Sequence, residues 1–284
     1  MQSNTETSKE QSPVLVIGGT GKTGSRVVAG LQAKSVPVRV GSRSATPAFD
    51  WDKESSWGPV LNGVGAVYIN YAPDLAVPGA TDTIRAFVAE AGRHNVQHLV
   101  LLSGRGEEEA QACERLVQES GIDWTIVRAS WFYQNFSEGA FVEMVNQGAI
   151  ALPAGDIPEP FVDVDDIADV AVAALTESGH TGEVYEVTGP RLMTFADIAS
   201  ELSEATKRDI AFIPLSHEDF VAEVKKSDAP QGVVWLMDYL FSTVLDGRNS
   251  KLCNGVQRAL GREPRDFREY AQKVASTGVW RVAA

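Results

Sequence analysis

Apolar positions along this chain follow two alternating rhythms, one of strands and one of helices. Val14-Leu15-Val16-Ile17 is an unbroken aliphatic run, the pattern of a strand buried on both faces, and it stops at a glycine cluster. From about Thr23 to Lys34 the apolar residues recur at helical spacing. Val36 to Gly41 alternates as a second strand, Phe49-Asp50-Trp51 reads as a short third, and Val64 to Asn70 as a fourth. Thr83 to Arg93 is helical, and His98 to Leu102 is a strand ending at Ser103. Glu107 to Glu119 is a charged amphipathic helix whose Glu107-Glu108-Glu109 run suits the positive helix end and reads as a solvated first turn. Trp124 to Val127 is the sixth strand. This alternation predicts an α/β fold of the Rossmann type, a doubly wound parallel sheet with helices on both faces.

Asp165 is placed to cap a helix whose Ile167, Val170, Ala171, Ala174 and Leu175 form one face. A strand to Val187 follows Gly182, then a helix from Phe195 to Ala205, a short strand near Ile210 to Pro214, and mostly helices beyond. The expected division is a disordered tail over 1–12, a dinucleotide-binding core over 13–154, and a mixed segment over 155–284. That last segment completes the sheet and forms a smaller, mostly helical substrate lobe.

Composition removes several function classes. A formal net charge of -13 argues against a nucleic-acid groove, which needs clustered Lys and Arg. Two cysteines, Cys113 and Cys253, and four scattered histidines show no metal-ligand spacing, so no metal site is expected. The polar first twelve residues lack the apolar core of a secretory signal, and no apolar run approaches a membrane span. The expectation is a cytoplasmic protein, monomeric or homodimeric, acting on a small molecule and not on nucleic acid or membrane.

Chemistry concentrates at Gly18-Gly19-Thr20-Gly21-Lys22-Thr23-Gly24. Glycines at 18, 21 and 24 between a strand and a helix permit a sharp turn, close approach of a pyrophosphate, and tight helix packing. The helix then offers its unpaired N–H groups to the phosphates. A nucleotide-triphosphate loop would need glycine at position 16, which is valine, so the spacing favours a dinucleotide. Arg43 follows the second strand where an acidic residue would hold the ribose of NAD, and no Asp or Glu is there. Arg43, with Ser42 and Lys22, is therefore expected to meet the 2′-phosphate of NADP(H). Asp50 and Trp51 would edge the adenine. Asn70, Tyr71, Ala72 and Ser103 lie at carboxyl ends of strands, where open α/β sheets place their ligands.

The order of GGTGKTG, the arginine after strand two, FDW, LLSG, WTIVRASWFYQNF, FVDVDDIA and GEVYEVTGP resembles an NmrA-like atypical short-chain dehydrogenase/reductase over nearly the whole chain. FDW and the overall spacing look closest to festuclavine and agroclavine dehydrogenases, with NADPH-dependent quinone reductases as relatives. The resemblance implies that Trp131, Phe132, Tyr133 and Asn135 line a cleft beside the nicotinamide. Tyr133 and Ser103 are the candidates for a catalytic role.

None of the six tyrosines is followed four residues later by the lysine that lowers the catalytic tyrosine's pKa in most short-chain dehydrogenases. Alcohol–ketone interconversion is thereby disfavoured, since an alkoxide must be protonated or formed. Hydride transfer to an already electrophilic iminium, quinone or similar acceptor remains open, as does a non-catalytic NADP(H)-binding redox sensor of the NmrA type.

Overall fold

Strand β1, Val14–Ile17, shows why the chain folds around its glycine turn. Leu15 and Ile17 enter one apolar cluster while Val14 and Val16 enter another, so successive side chains fill the two faces of one sheet. Aliphatic residues at all four positions satisfy both faces at once. The computed structural model describes residues 12–139, 141–226 and 229–281; of the tail expected over 1–12, residues 1–11 lie outside the described residues.

Strands β2 (Val38–Gly41), β3 (Ala66–Ile69), β4 (His98–Gly104) and β5 (Asp123–Ala129) continue the sheet. Strand β6 (Ala149–Leu152) stands apart from it, β7 (Glu183–Val187) completes it, and β8 (Ala211–Pro214) pairs with β6. The large sheet is parallel, in the order β2-β1-β3-β4-β5-β7. The order reverses at β1, between β2 and β3. An open α/β sheet binds its ligand at that crevice.

Helices α1 (Lys22–Ala33), α2 (Trp57–Leu61), α3 (Ala80–Arg93) and α4 (Glu108–Gln118) belong to the first half of the chain. Helix α3 packs beside α4 on one face, joining the cluster of Leu15, Phe87, Leu99 and Val117. On the other face α1 packs against α6 (Val164–Thr176), with Val27, Leu31, Val170 and Ala174 between them; α5 (Val142–Gln147) precedes that helix. The remaining helices are α7 (Phe195–Thr206), α8 (His217–Lys226), α9 (Gln231–Tyr239), α10 (Gly255–Leu260) and α11 (Phe267–Thr277). Together α7, α11 and the β6–β8 pair enclose an aromatic core containing Phe136, Phe161, Phe195 and Phe267. No helix among the described residues is long and apolar enough to cross a membrane.

The structure departs from the expected elements in four places. Phe49–Trp51 is not a strand: its rings join Trp57, Tyr71 and Phe87 in an edge-to-face cluster. Its carbonyls and amides are met by turns and side chains, as where the Trp57 indole donates to Asp50 O at 2.8 Å. The cap of α6 is Asp163, which accepts from Asp165 N at 2.8 Å, whereas Asp165 receives Arg26 Nε at 2.6 Å. Buried Gln134 fixes that register by donating to Asp163 Oδ1 and accepting from Val164 N. Strand β6, which is not among the expected elements, pairs with β8 in a two-stranded sheet apart from the large one. Finally, Glu108 and Glu109 are exposed, but Glu107 is buried.

Candidate cofactor and substrate site

The turn after β1 has the geometry of a phosphate cradle. Gly18 takes φ +66°, a left-handed conformation that a Cβ would strain, and Gly21 N donates to Gly18 O at 2.8 Å. Helix α1 starts immediately afterwards with Gly21 at its N-cap and no side-chain cap, so its first N–H groups meet no capping oxygen. Asn70 at the end of β3 reaches across to donate to Thr23 Oγ1 at 3.2 Å, tying the crevice together. Thr20 is exposed on this turn.

Arg43 lies just past β2, exposed, and no hydrogen bond or ion pair engages it among the described residues. Ser42 beside it shares a 3.3 Å contact with the Ser44 hydroxyl. Lys22 does not join them. Its ammonium donates to Asn135 Oδ1 at 2.9 Å, and burial, partly countered by Glu138, lowers its pKa. The expectation of Lys22 at a 2′-phosphate is thus corrected: its side chain follows the groove to the opposite wall.

At the carboxyl ends of β3, β4 and β5 a cavity of about 310 Å³ opens beside the turn, within the usual volume range for small-molecule sites. Lys22, Asn70, Tyr71, Ser103, Trp131, Phe132 and Asn135 all line it. Asp50, Trp51 and Ala72 do not, although Trp51 Nε1 donates to Asn70 O at 3.3 Å and packs on Tyr71. Sequence reasoning missed the far wall: Asp74, Glu107, Asn249, and Leu236, Met237, Leu240 and Val244 from α9 and the π-helical turn Leu240–Val244. No motif marks those residues.

Tyr133 is the main correction. It is 1% exposed, packed against Phe267 and Tyr270, and its hydroxyl donates to Arg265 O at 3.2 Å. It is absent from the cavity lining. Burial, then the charges of Asp266 and Asp163, push its pKa far up, the reverse of an activated acid. The short helical turn Tyr133–Phe136 swings this ring into the core while leaving Trp131, Phe132 and Asn135 on the cavity. Tyr133→Phe is therefore expected to cost about 0.5 to 1.5 kcal/mol of stability and leave hydride-transfer rates within about twofold. A denaturant melt and a single-turnover assay check this, and a thousandfold rate loss would restore Tyr133 to the chemistry.

Ser103 heads a polar chain under the cavity floor. Its hydroxyl donates to Glu114 Oε1 at 2.6 Å, and Glu114 also accepts from Arg128 Nε at 2.9 Å. Arg128 in turn donates to Glu186 at 2.9 Å, with Arg105 on that carboxylate's other oxygen at 3.1 Å. Strand register explains the chain, since Ser103, Arg128 and Glu186 are direct neighbours across β4, β5 and β7. With its proton given to Glu114, Ser103 can offer a ligand only its lone pairs.

The residues from 18 to 178 match the NAD(P)H-binding family model. The chain belongs to the NAD(P)H-binding family. The expected NAD(P)-binding Rossmann-type fold and oxidoreductase class stand with it. Agroclavine dehydrogenase of Claviceps fusiformis is 30% identical over 290 residues, covering 94% of this chain and 98% of that enzyme. An NADPH-dependent quinone oxidoreductase from Escherichia coli, solved with NADPH, has the same fold at a TM-score of 0.78. It is 21% identical and covers 92% of this chain and 99% of its own. NmrA, a negative transcriptional regulator solved with NAD, superimposes at 0.70 with 14% identity, covering 96% of this chain and 100% of that one. Among the described residues no His, Cys, Asp or Glu cluster is arranged to hold a metal ion.

Proposed function

We propose that this protein is an NADPH-dependent reductase of an activated small-molecule acceptor such as a quinone or an iminium ion. The observation that carries the reading is the aromatic-lined cavity at the carboxyl ends of β3, β4 and β5, where Tyr71, Trp131, Phe132 and Phe141 share the lining with Lys22 at the start of α1. The relatives named as a dehydrogenase and a quinone oxidoreductase add to the same reading.

The residues fit the cofactor. The cradle of Gly18, Gly21 and Gly24 with the uncapped start of α1 suits a pyrophosphate, and Arg43 suits a 2′-phosphate. When bound, the reduced nicotinamide supplies a hydride. Asn135 and Lys22 give the cavity one polar edge, while Trp131, Leu236 and Met237 give it apolar walls that orient a planar acceptor and exclude water. Lys22 places a positive charge where an acceptor gains electron density.

NADPH consumption against a panel of quinones, cyclic imines and enals tests the activity. Tight NADPH binding with no oxidation by any acceptor would replace this reading with a redox sensor. Arg43→Ala tests the cofactor choice: a charge-assisted contact to phosphate contributes about 1.5 to 3 kcal/mol, so NADPH affinity should fall roughly tenfold to a hundredfold while NADH affinity holds. Equal wild-type affinities for the two dinucleotides would remove Arg43 from this role.

A further inference from the structure

Asp74, just past β3, and Glu107, just ahead of α4, line the same cavity, and neither has a part in the hydride path described above. Their carboxyl groups stand close enough for each to shift the protonation of the other. Glu107 is 5% exposed, and its Oε2 is buried with no donor among the described residues. Its carboxyl fills the space above Gly104, where a Cβ would stand only 2.3 Å from it. Asp74 is half-buried and accepts from Ala76 N at 2.8 Å, which fixes its carboxyl toward Glu107.

Two carboxyl groups this close share a proton, because two adjacent negative charges away from water repel strongly. The surroundings reinforce this. After Asp74, the leading charges acting on Glu107 are Glu109 and Glu114 of α4, both carboxylates. Cys113 of the same helix lies near Asp74, and Tyr239 of α9 donates to Glu109 Oε2 at 2.5 Å. Burial first, then the Asp74 charge, hold the Glu107 carboxyl well above the usual carboxylate range, and burial raises Asp74 as well.

We propose that Asp74 and Glu107 hold one shared proton and deliver it to the anionic oxygen of the reduced acceptor, the task for which this chain lacks a tyrosine–lysine pair. The proposal rests on the reductase reading. A quinone gains a hydride, that is, two electrons carried with one proton, as the C–H bond of the reduced nicotinamide breaks. The nicotinamide is oxidised and the quinone becomes a hydroquinone monoanion. The O–H bond of the carboxyl pair then breaks, its proton passes to the hydroquinone oxygen, and its electron pair stays on the carboxylate. Half-exposed Asp74 regains the proton from water. An iminium acceptor ends as a neutral amine and takes no proton, so it bypasses the pair.

Two measurements on the NADPH-binding protein test this. Infrared difference spectra between wild type and Glu107→Gln should contain a protonated-carboxyl carbonyl band at neutral pH that shifts in Asp74→Asn. Single-turnover rates with a quinone and with an N-alkyl iminium should show the quinone-to-iminium ratio falling about a hundredfold in Glu107→Gln, the lower end of general acid catalysis. Asp74→Asn should lower the same ratio and move its pH profile. Absence of the infrared band, or a ratio unchanged in both variants, overturns the shared-proton role and leaves the reductase reading intact. A wild type that binds NADPH but reduces neither acceptor sinks the reductase reading and the delivery role with it, whatever the infrared band shows.

Discussion

Gly21→Val should weaken NADPH binding by at least about a hundredfold while the protein stays folded, and Gly24→Ala should do something different. At Gly21 the backbone is ordinary, φ -86° and ψ -179°, and a Cβ would meet only Gly18 O at 3.3 Å. A small shift accommodates it. The valine methyls, however, would occupy the approach to the first N–H groups of α1, and losing two charge-assisted phosphate contacts of about 1.5 to 3 kcal/mol each gives that loss in affinity. At Gly24 a Cβ would lie 2.2 Å from Gly18 O and 2.9 Å from Gly19 Cα, all of it backbone that cannot turn aside. Crowding of this kind costs about 1 to 3 kcal/mol or more, so Gly24→Ala should lower the melting temperature before any question of binding arises. Cofactor fluorescence titrations alongside thermal melts separate the two effects. If Gly21→Val bound NADPH as wild type does, the cradle would have to lie elsewhere; if it melted as early as Gly24→Ala, the room seen at Gly21 would be illusory.

How much of this was legible in the sequence depends on whether local or tertiary contacts decide each residue's place. Strand β1 and helix α1 were legible because their patterns are dictated by burial along one element, with Leu15 and Ile17 on one face and Val14 and Val16 on the other. The cavity's near wall was legible because ligands gather at carboxyl ends of strands, and Asn70, Tyr71 and Ser103 lie there. Phe49-Asp50-Trp51 misled because aromatic–polar–aromatic spacing is identical for a half-buried strand and for a loop pinned by Trp57 and Phe87. Tyr133 misled for a related reason. Within Trp131-Phe132-Tyr133 nothing local says which ring turns inward, and that is decided by Phe267 and Tyr270, more than a hundred residues away. Glu107 was hidden in a run of three glutamates, a pattern that ordinarily marks solvent, and tertiary packing against Gly104 and the cavity wall is what buries it. The covering segment from Leu236 to Val244 carries no motif, since apolar contacts to a cavity impose no spacing of their own.

Glu159→Gln should make the protein more stable than wild type at pH 8 relative to pH 5, by about 2.5 kcal/mol. Glu159 is 0% exposed, and neither of its carboxyl oxygens has a hydrogen-bond partner among the described residues. Its backbone is fixed by reciprocal hydrogen bonds with Met193, both 2.9 Å, so the side chain cannot retreat to water without breaking that bridge. Burial raises its pKa from 4.5 to about 7, overriding the attraction of Arg105 and aided by repulsion from Asp246. Desolvation wins because a charge without hydrogen bonds loses more on leaving water than one cation at a distance returns. The sign follows from proton counting. Between pH 4.5 and about 7 the native protein holds a proton that the unfolded chain has released, so stability is full below 4.5 and falls as pH rises through about 7. That separation of pKa values corresponds to about 3.4 kcal/mol in full, of which about 2.5 kcal/mol falls between pH 5 and pH 8. Gln cannot ionise, and any fixed cost of its buried amide is the same at both pH values, so it cancels in the comparison. Urea unfolding of both proteins at pH 5 and pH 8 gives the double difference directly, with the slopes from other carboxylates, Glu107 included, also cancelling. A double difference near zero would mean that Glu159 is charged and solvated in the native protein, and the Glu159–Met193 bridge would then have to open to water.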